Sequence, residues 1–184
     1  YWIDATDTLT ENAGEGTDTV VAGFSLTLAA NLENLTLTGA ANINGTGNSA
    51  NNVITGNNGN NTLDGGAGTD TASFTQALSG VNASLVSGTA TGDGNDTLLN
   101  IENLTGSDFN DVLTGNSGNN VLIGGNGSNM LFGGGGNDTL LSSEQVTLQP
   151  GNTFTEYDDT TATPLDLAAT LLMPGSGIVI HSAT

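Results

Sequence analysis

A nine-residue period constrains this chain more than any other feature. Residues 106–141 divide without a gap into four nonapeptides, GSDFNDVLT, GNSGNNVLI, GGNGSNMLF and GGGGNDTLL. Residues 47–73 give three more, GNSANNVIT, GNNGNNTLD and GGAGTDTAS. Every unit opens on glycine, and the eighth position holds Ile54, Leu63, Ala72, Leu113, Leu122, Leu131 and Leu140. Six of those seven are large aliphatics. A fixed inward apolar site once every nine residues is what a coiled parallel sheet needs, and no helical period fits.

A longer echo extends the pattern. Asn31-Leu32-Glu33-Asn34-Leu35-Thr36 precedes the first block and Asn100-Ile101-Glu102-Asn103-Leu104-Thr105 precedes the second. Upstream of these lie Gly14-Glu15-Gly16-Thr17-Asp18-Thr19-Val20 and Gly92-Asp93-Gly94-Asn95-Asp96-Thr97-Leu98. The chain thus runs twice through a GxGxDT turn, a strand, an (I/L)ENL strand and then nonapeptides. Between the blocks, residues 74–91 alternate apolar with small polar residues, as strands do. The predicted fold is all-β, a parallel β-roll or β-solenoid over residues 1–141. Its expected divisions are irregular coils at 1–46, the first block at 47–73, irregular coils at 74–105, and the second block at 106–141. Residues 142–184 follow as a cap, a connector or the start of a further domain.

The pattern stops at Ser142. Glu144–Leu148 alternates like a strand before the turn signal Pro150-Gly151. Thr163-Pro164-Leu165-Asp166 reads as a helix start, with Leu167, Leu171 and Leu172 on one face and Pro174-Gly175 closing the element. Gly177–Ile180 reads as a buried strand.

Composition narrows the partners. The 184 residues contain no Lys or Arg, 19 Asp plus Glu and one His, for a formal charge of −19. No salt bridge to Lys or Arg is available, so carboxylate repulsion must be relieved by salt, protonation or bound cations. Nucleic acid is excluded as a partner, because phosphate neutralisation needs cationic side chains. Without cysteine there is neither a disulfide nor a thiolate metal site. No apolar run approaches the ~18 residues of a membrane span. The chain opens on Tyr1 and reads as a piece of a longer precursor.

The nonapeptides resemble the RTX (repeats-in-toxin) calcium β-roll family, whose signature is GGxGxDxUx. Gly133-Gly134-Gly135-Gly136-Asn137-Asp138-Thr139-Leu140-Leu141 matches that signature in full, and Gly65-Gly66-Ala67-Gly68-Thr69-Asp70 matches its turn half. The resemblance covers about residues 1–141. It implies tight turns with inward carbonyls, a sixth-position carboxylate as ligand, and two stacked turns offering calcium six or more oxygens. It also implies two nonapeptides per coil, so that each turn faces the turn two repeats away.

The expected metal-site residues are therefore Asn52, Asn61, Asp70, Asp111, Asn120, Asn129 and Asp138, with Asp18 and Asp96 in the isolated GxGxD turns. Asp111 is expected to face Asn129, Asn120 to face Asp138, and Asn52 to face Asp70. Each pair offers one carboxylate where the family pattern offers two, which points to affinities of about 10⁻⁴–10⁻³ M. Asparagines also stack in hydrogen-bonded ladders without metal, so a partly calcium-independent roll stands beside the calcium-dependent one.

No catalytic group is predicted. His181, the one imidazole, stands near the end of the sequence, and Glu33 and Glu102 recur at equivalent places, which reads as structure. The expected function is a non-enzymatic calcium-binding extracellular module: a stalk, an adhesin segment or a self-assembling fibre subunit stacking end to end. The alternative is the secretion and folding module of a type I exported enzyme whose catalytic domain lies elsewhere. Either implies a secreted or cell-surface protein of a Gram-negative-type bacterium.

Overall fold

Short strands separated by glycine-rich turns cannot bury their apolar residues alone; they do so here by coiling. The computed structural model describes residues 1–142 and the backbone of 145–146. The helix expected from Thr163 to Leu172, the strand at 177–180, His181 and the role of residues 142–184 lie outside the described residues. All regular elements among the described residues are strands.

One face of the roll carries β1 (Trp2–Ile3), β2 (Thr19–Ala22), β4 (Asn34–Leu37), β6 (Val53–Thr55), β8 (Thr71–Ser73), β12 (Asn103–Thr105), β14 (Val121–Ile123) and β16 (Thr139–Leu141), in that order. The opposite face carries β3 (Leu26–Thr27), β5 (Gly45–Thr46), β7 (Thr62–Asp64), β9 (Asn82–Ser84), β10 (Thr89–Thr91), β11 (Asn95–Leu99), β13 (Val112–Thr114), β15 (Ser128–Phe132) and β17 (Gln145–Val146). From β2 onward the chain alternates between the two faces, apart from β9–β11, which lie in succession on the second face. β17 falls within the strand expected at 144–148.

Register follows the eighth position. Val20, Leu35, Ile54, Ala72, Leu104, Leu122 and Leu140 pair in succession across parallel strands and form one inward column. All seven are fully buried. The echo segments prove to be degenerate repeats of the same kind, since Leu35 and Leu104 hold the eighth position. Asn31 and Asn100 stand where the repeats have their fourth-position glycine. They adopt φ of 68° and 50°, a left-handed conformation that asparagine tolerates better than most residues. Close turn stacking accounts for glycine elsewhere: at Gly134 (φ 95°) a Cβ would collide with the carbonyl of Asn116 one coil back.

The irregular stretch departs from a purely parallel roll. β9, β10 and β11 form an antiparallel meander, with β11 parallel to β7 and β9 parallel to β13. The second face therefore runs β3-β5-β7-β11-β10-β9-β13-β15-β17, while β8 pairs directly with β12 on the first face. Two extra strands add roughly 10 Å along that face. The inward residues here are small: Ala72, Ala83 and Ala90 are buried, and the buried ring of Phe74 supplies volume to the same core.

Candidate metal centres

Sixth-position side chains stand where turn passes into strand, just before the strand or, for Asp96 and Asn129, at its second residue, which makes them connectors between coils. On the first face the line runs Asp18, Glu33, Asn52, Asp70, Glu102, Asn120 and Asp138. Asp18 N–H donates to Glu33 Oε2 at 2.9 Å, Asn52 N–H to Asp70 Oδ1 at 2.7 Å, Asp70 N–H to Glu102 Oε2 at 2.8 Å, and Asn120 N–H to Asp138 Oδ1 at 3.0 Å. On the second face Asn61 N–H donates to Asp96 Oδ1 at 2.8 Å, Val81 N–H to Asp111 Oδ1 at 2.7 Å, and Asp111 N–H to Asn129 Oδ1 at 2.9 Å. The structure thus brings together the three expected pairs, Asn52 with Asp70, Asn120 with Asp138, and Asp111 with Asn129. It adds Asn61 with Asp96 and Asp18 with Glu33.

Glu33 and Glu102 belong to these lines, a role that sequence reasoning missed. The signal was their offset: each precedes an inward leucine by two residues, as the sixth-position Asp or Asn does in the nonapeptides.

Amides and carboxylates behave differently at this position. Asn52 and Asn120 turn their Nδ2 groups back onto the previous coil, to Leu32 and Glu33 carbonyls and to the Glu102 carbonyl respectively. Asn61 does the same to Ile43. Their Oδ1 atoms accept from Asn48, Asn116 and Asn57 N–H within their own turns. Asn129 Nδ2 contacts carbonyls of its own turn, Gly125, Asn126 and Gly127, and the Ser142 hydroxyl. A separate outer line uses fifth-position asparagines, with Thr69, Asn137 and Ser128 N–H donating to Asn51, Asn119 and Asn110 Oδ1. The Nδ2 bonds of Asn52, Asn61 and Asn120 and the outer line hold coil to coil through neutral groups, and the remaining bonds brace single turns.

The carboxylates are less completely served. Asp111 is well bonded: besides Val81, it receives Ser107 N–H on Oδ2 and the Ser107 hydroxyl on Oδ1, each at 2.7 Å. Asp70 is not. Its side chain is fully buried, and no donor reaches Oδ2. Burial raises its carboxyl above the usual range, the Asn52 N–H opposes this, and the charges of Glu102 and Asp64 add to the rise. Asp96 is pushed up to about 6, by burial first, against the Asn61 N–H and with help from Asp93. Near the first coil Glu11 rises to about 7 through its contact with Asp18, desolvation, and the charges of Asp18, Glu33 and Glu15.

Among the described residues no three His, Cys, Asp or Glu side chains converge on a point. A cation in these turns would draw on one or two carboxylates completed by amide and backbone oxygens. That donor set is all oxygen, suits calcium rather than zinc or copper, and offers a charge partner to the orphaned Asp70 Oδ2. The residues fit the ion.

Residues 46–72 and 105–140 match the RTX calcium-binding nonapeptide repeat family, in four copies. These two blocks are RTX repeats. RTX repeats bind calcium ions, so calcium is the metal of this roll. No curated protein matches the chain. The match leaves out the echo segment 31–36 and all but Thr105 of its counterpart 100–105, where glutamate and asparagine replace the RTX aspartate and glycine. Among the described residues no helix is long and apolar enough to cross a membrane.

Proposed function

We propose that this chain is a non-enzymatic, calcium-stabilised structural segment of an exported or cell-surface bacterial protein. The observation that carries the reading is Asp70: a buried carboxylate oxygen without a donor, in a chain that has no Lys or Arg to neutralise it. Leaving such a group unpaired costs several kcal/mol, whereas a bound cation turns it into an attraction.

The assigned calcium ligands are Asp70 with Asn52 and Asp138 with Asn120 on the first face, and Asp111 with Asn129 on the second. Asp18, beside Glu33, and Asn61, beside Asp96, extend the two lines. Calcium there supplies positive charge between stacked turns and orders their carbonyls. With −19 formal charge, the calcium-free chain repels itself and stays extensible in a compartment poor in calcium. Millimolar calcium outside the cell favours the coiled state by mass action. Secretion is also the usual setting of RTX repeats.

Limited proteolysis tests this reading. In 5 mM calcium a fragment spanning the roll should survive a nonspecific protease, and the whole chain should be digested in chelator. Equal survival in chelator and calcium would remove calcium from the account of folding.

A further inference from the structure

The antiparallel meander lengthens one face of the roll without lengthening the other, and the outward side chains it adds are uncharged. Across the second face, register places Thr62, Thr97, Thr89, Ser84, Thr114 and Phe132 side by side on successive strands. A second row, two residues away along each strand, runs Asn95, Thr91, Asn82, Val112 and Met130. Both rows alternate with the buried positions and so point outward. Asn82, Thr89, Thr91, Asn95, Thr97 and Met130 are exposed, and the others are partly so.

Two observations set these rows apart. Carboxylates are missing from them, in a chain of −19 formal charge. The acids on the strands of this sheet are Asp96, which is buried, and Asp64, which accepts Asn100 Nδ2 and Gly66 N–H at the margin. The polar groups of the rows are also idle. Among the described residues nothing pairs with the hydroxyls of Thr62, Thr91, Thr97 and Thr114 or the side-chain amides of Asn82 and Asn95. The turn asparagines, by contrast, bond from coil to coil.

At the β13–β15 end the rows finish in Val112, Met130 and Phe132, so idle hydroxyls and amides adjoin an apolar patch. That combination fits a sugar ring, which carries hydroxyls at its rim and C–H groups on its face. Dimensions narrow the occupant further. Six strands spaced by about 4.8 Å make a strip about 24 Å long, and two side chains make it about 10 Å wide. Roughly 240 Å² is far below the ~800 Å² per partner that a stable protein complex buries. A second copy of the chain therefore does not account for the strip, whereas a single extended polymer does. Anionic polymers are excluded by the charge of the roll and its lack of Lys and Arg.

We infer that this face binds an uncharged, extended polysaccharide of β-linked glucose, laid along the roll across β7, β11, β10, β9, β13 and β15. Threonine hydroxyls and asparagine amides hydrogen-bond to its hydroxyls, and Met130 and Phe132 pack on a ring face. The meander supplies Thr89, Thr91, Asn95 and Thr97, without which the rows would be broken. The inference needs the coiled roll but no calcium ion at any particular turn, so a roll already folded in chelator would leave it standing.

Titration of the 184-residue chain with cellohexaose in calcium-containing buffer, followed by amide NMR, tests it. Shifts are expected at Thr62, Thr89, Thr97 and Thr114, and T97V/T114V should weaken binding by about fivefold to a hundredfold. T36V/T139V removes as many hydroxyls from the opposite sheet and should bind as the wild type does. Valine suits an outward strand position as well as threonine does, and circular dichroism establishes that both variants keep the roll. Should T97V/T114V lose it, the shift map of the unaltered chain decides the matter. Absence of shifts in the folded wild type overturns the inference, as do shifts confined to the turns around Asp70 and Asp138. Equal weakening in the two variants also overturns it. Polygalacturonate, a charged counterpart, should leave the rows unshifted, and its binding there would overturn the assignment to an uncharged polymer.

Discussion

At the scale of single residues, the sixth position decides how each coil is held, and its chemistry predicts opposite responses to calcium and to protons. Asp70→Asn keeps an acceptor for the Asn52 N–H and removes the orphaned buried charge. The calcium-free variant should be more stable than wild type by about 1–3 kcal/mol, and its calcium midpoint should move up about tenfold. Thermal melts with and without chelator check both halves. Protonation works in the same direction as that substitution. Burial raises Asp96 to about 6, and raises Asp70 and Asp93 as well. A carboxyl raised in the folded state contributes stability below its unfolded value near 4, and that contribution is lost as pH rises through the folded value. The calcium-free roll should therefore melt at a higher temperature at pH 5 than at pH 7.5. For Asp96 alone the difference between those two pH values is about 1–1.5 kcal/mol. Bound calcium favours the ionised form, so calcium should stabilise the chain more at pH 7.5 than at pH 5.

At the scale of strands and turns, the inward column and the asparagine lines carry the stacking. Leu122 lies between Leu104 and Leu140 in that column and is fully buried. Leu122→Ala should cost about 2–5 kcal/mol through the cavity it leaves, read in calcium-saturated melts. Asn119→Ala removes one exposed coil-to-coil bond, to Asn137 N–H, and should cost only about 0.5–1.5 kcal/mol. The nonapeptide coils were legible because one apolar residue every nine fixes strand, face and register together. The pairing of Asp70 with Asn52 and of Asp138 with Asn120 was legible for the same reason. The direction of β10 was not. Alternation in residues 74–91 marks strands, but a two-residue period is the same for parallel and antiparallel neighbours. Glu33 and Glu102 were also overlooked, because the apolar Leu32 and Ile101 in their turns hide the GxGxD form. Nor did sequence distinguish Asp111, served by Ser107 and Val81, from Asp70, which lacks a second donor. That difference depends on the side chain of residue 107 and on where the coil behind it lies.

At the scale of the whole molecule, two forces oppose each other. Neutral asparagine lines and a continuous aliphatic core favour the coiled state independently of calcium. Nineteen acidic side chains without a single Lys or Arg push them apart. The balance tips on the buried carboxylates Asp70, Asp93 and Asp96, whose charge burial disfavours. The described sheets end at β1 and β3 with unpaired strand edges, which in a solenoid invite stacking or capping. Far-UV circular dichroism of the 184-residue chain at pH 7.5, titrated with calcium from chelator to about 10 mM with magnesium as control, tests the central claim most directly. The account predicts a weak β signal in chelator and a calcium-specific rise to a plateau in the submillimolar to millimolar range. A β signal already complete in chelator, and unmoved by calcium, would contradict it and leave the asparagines and the core as sufficient for the fold.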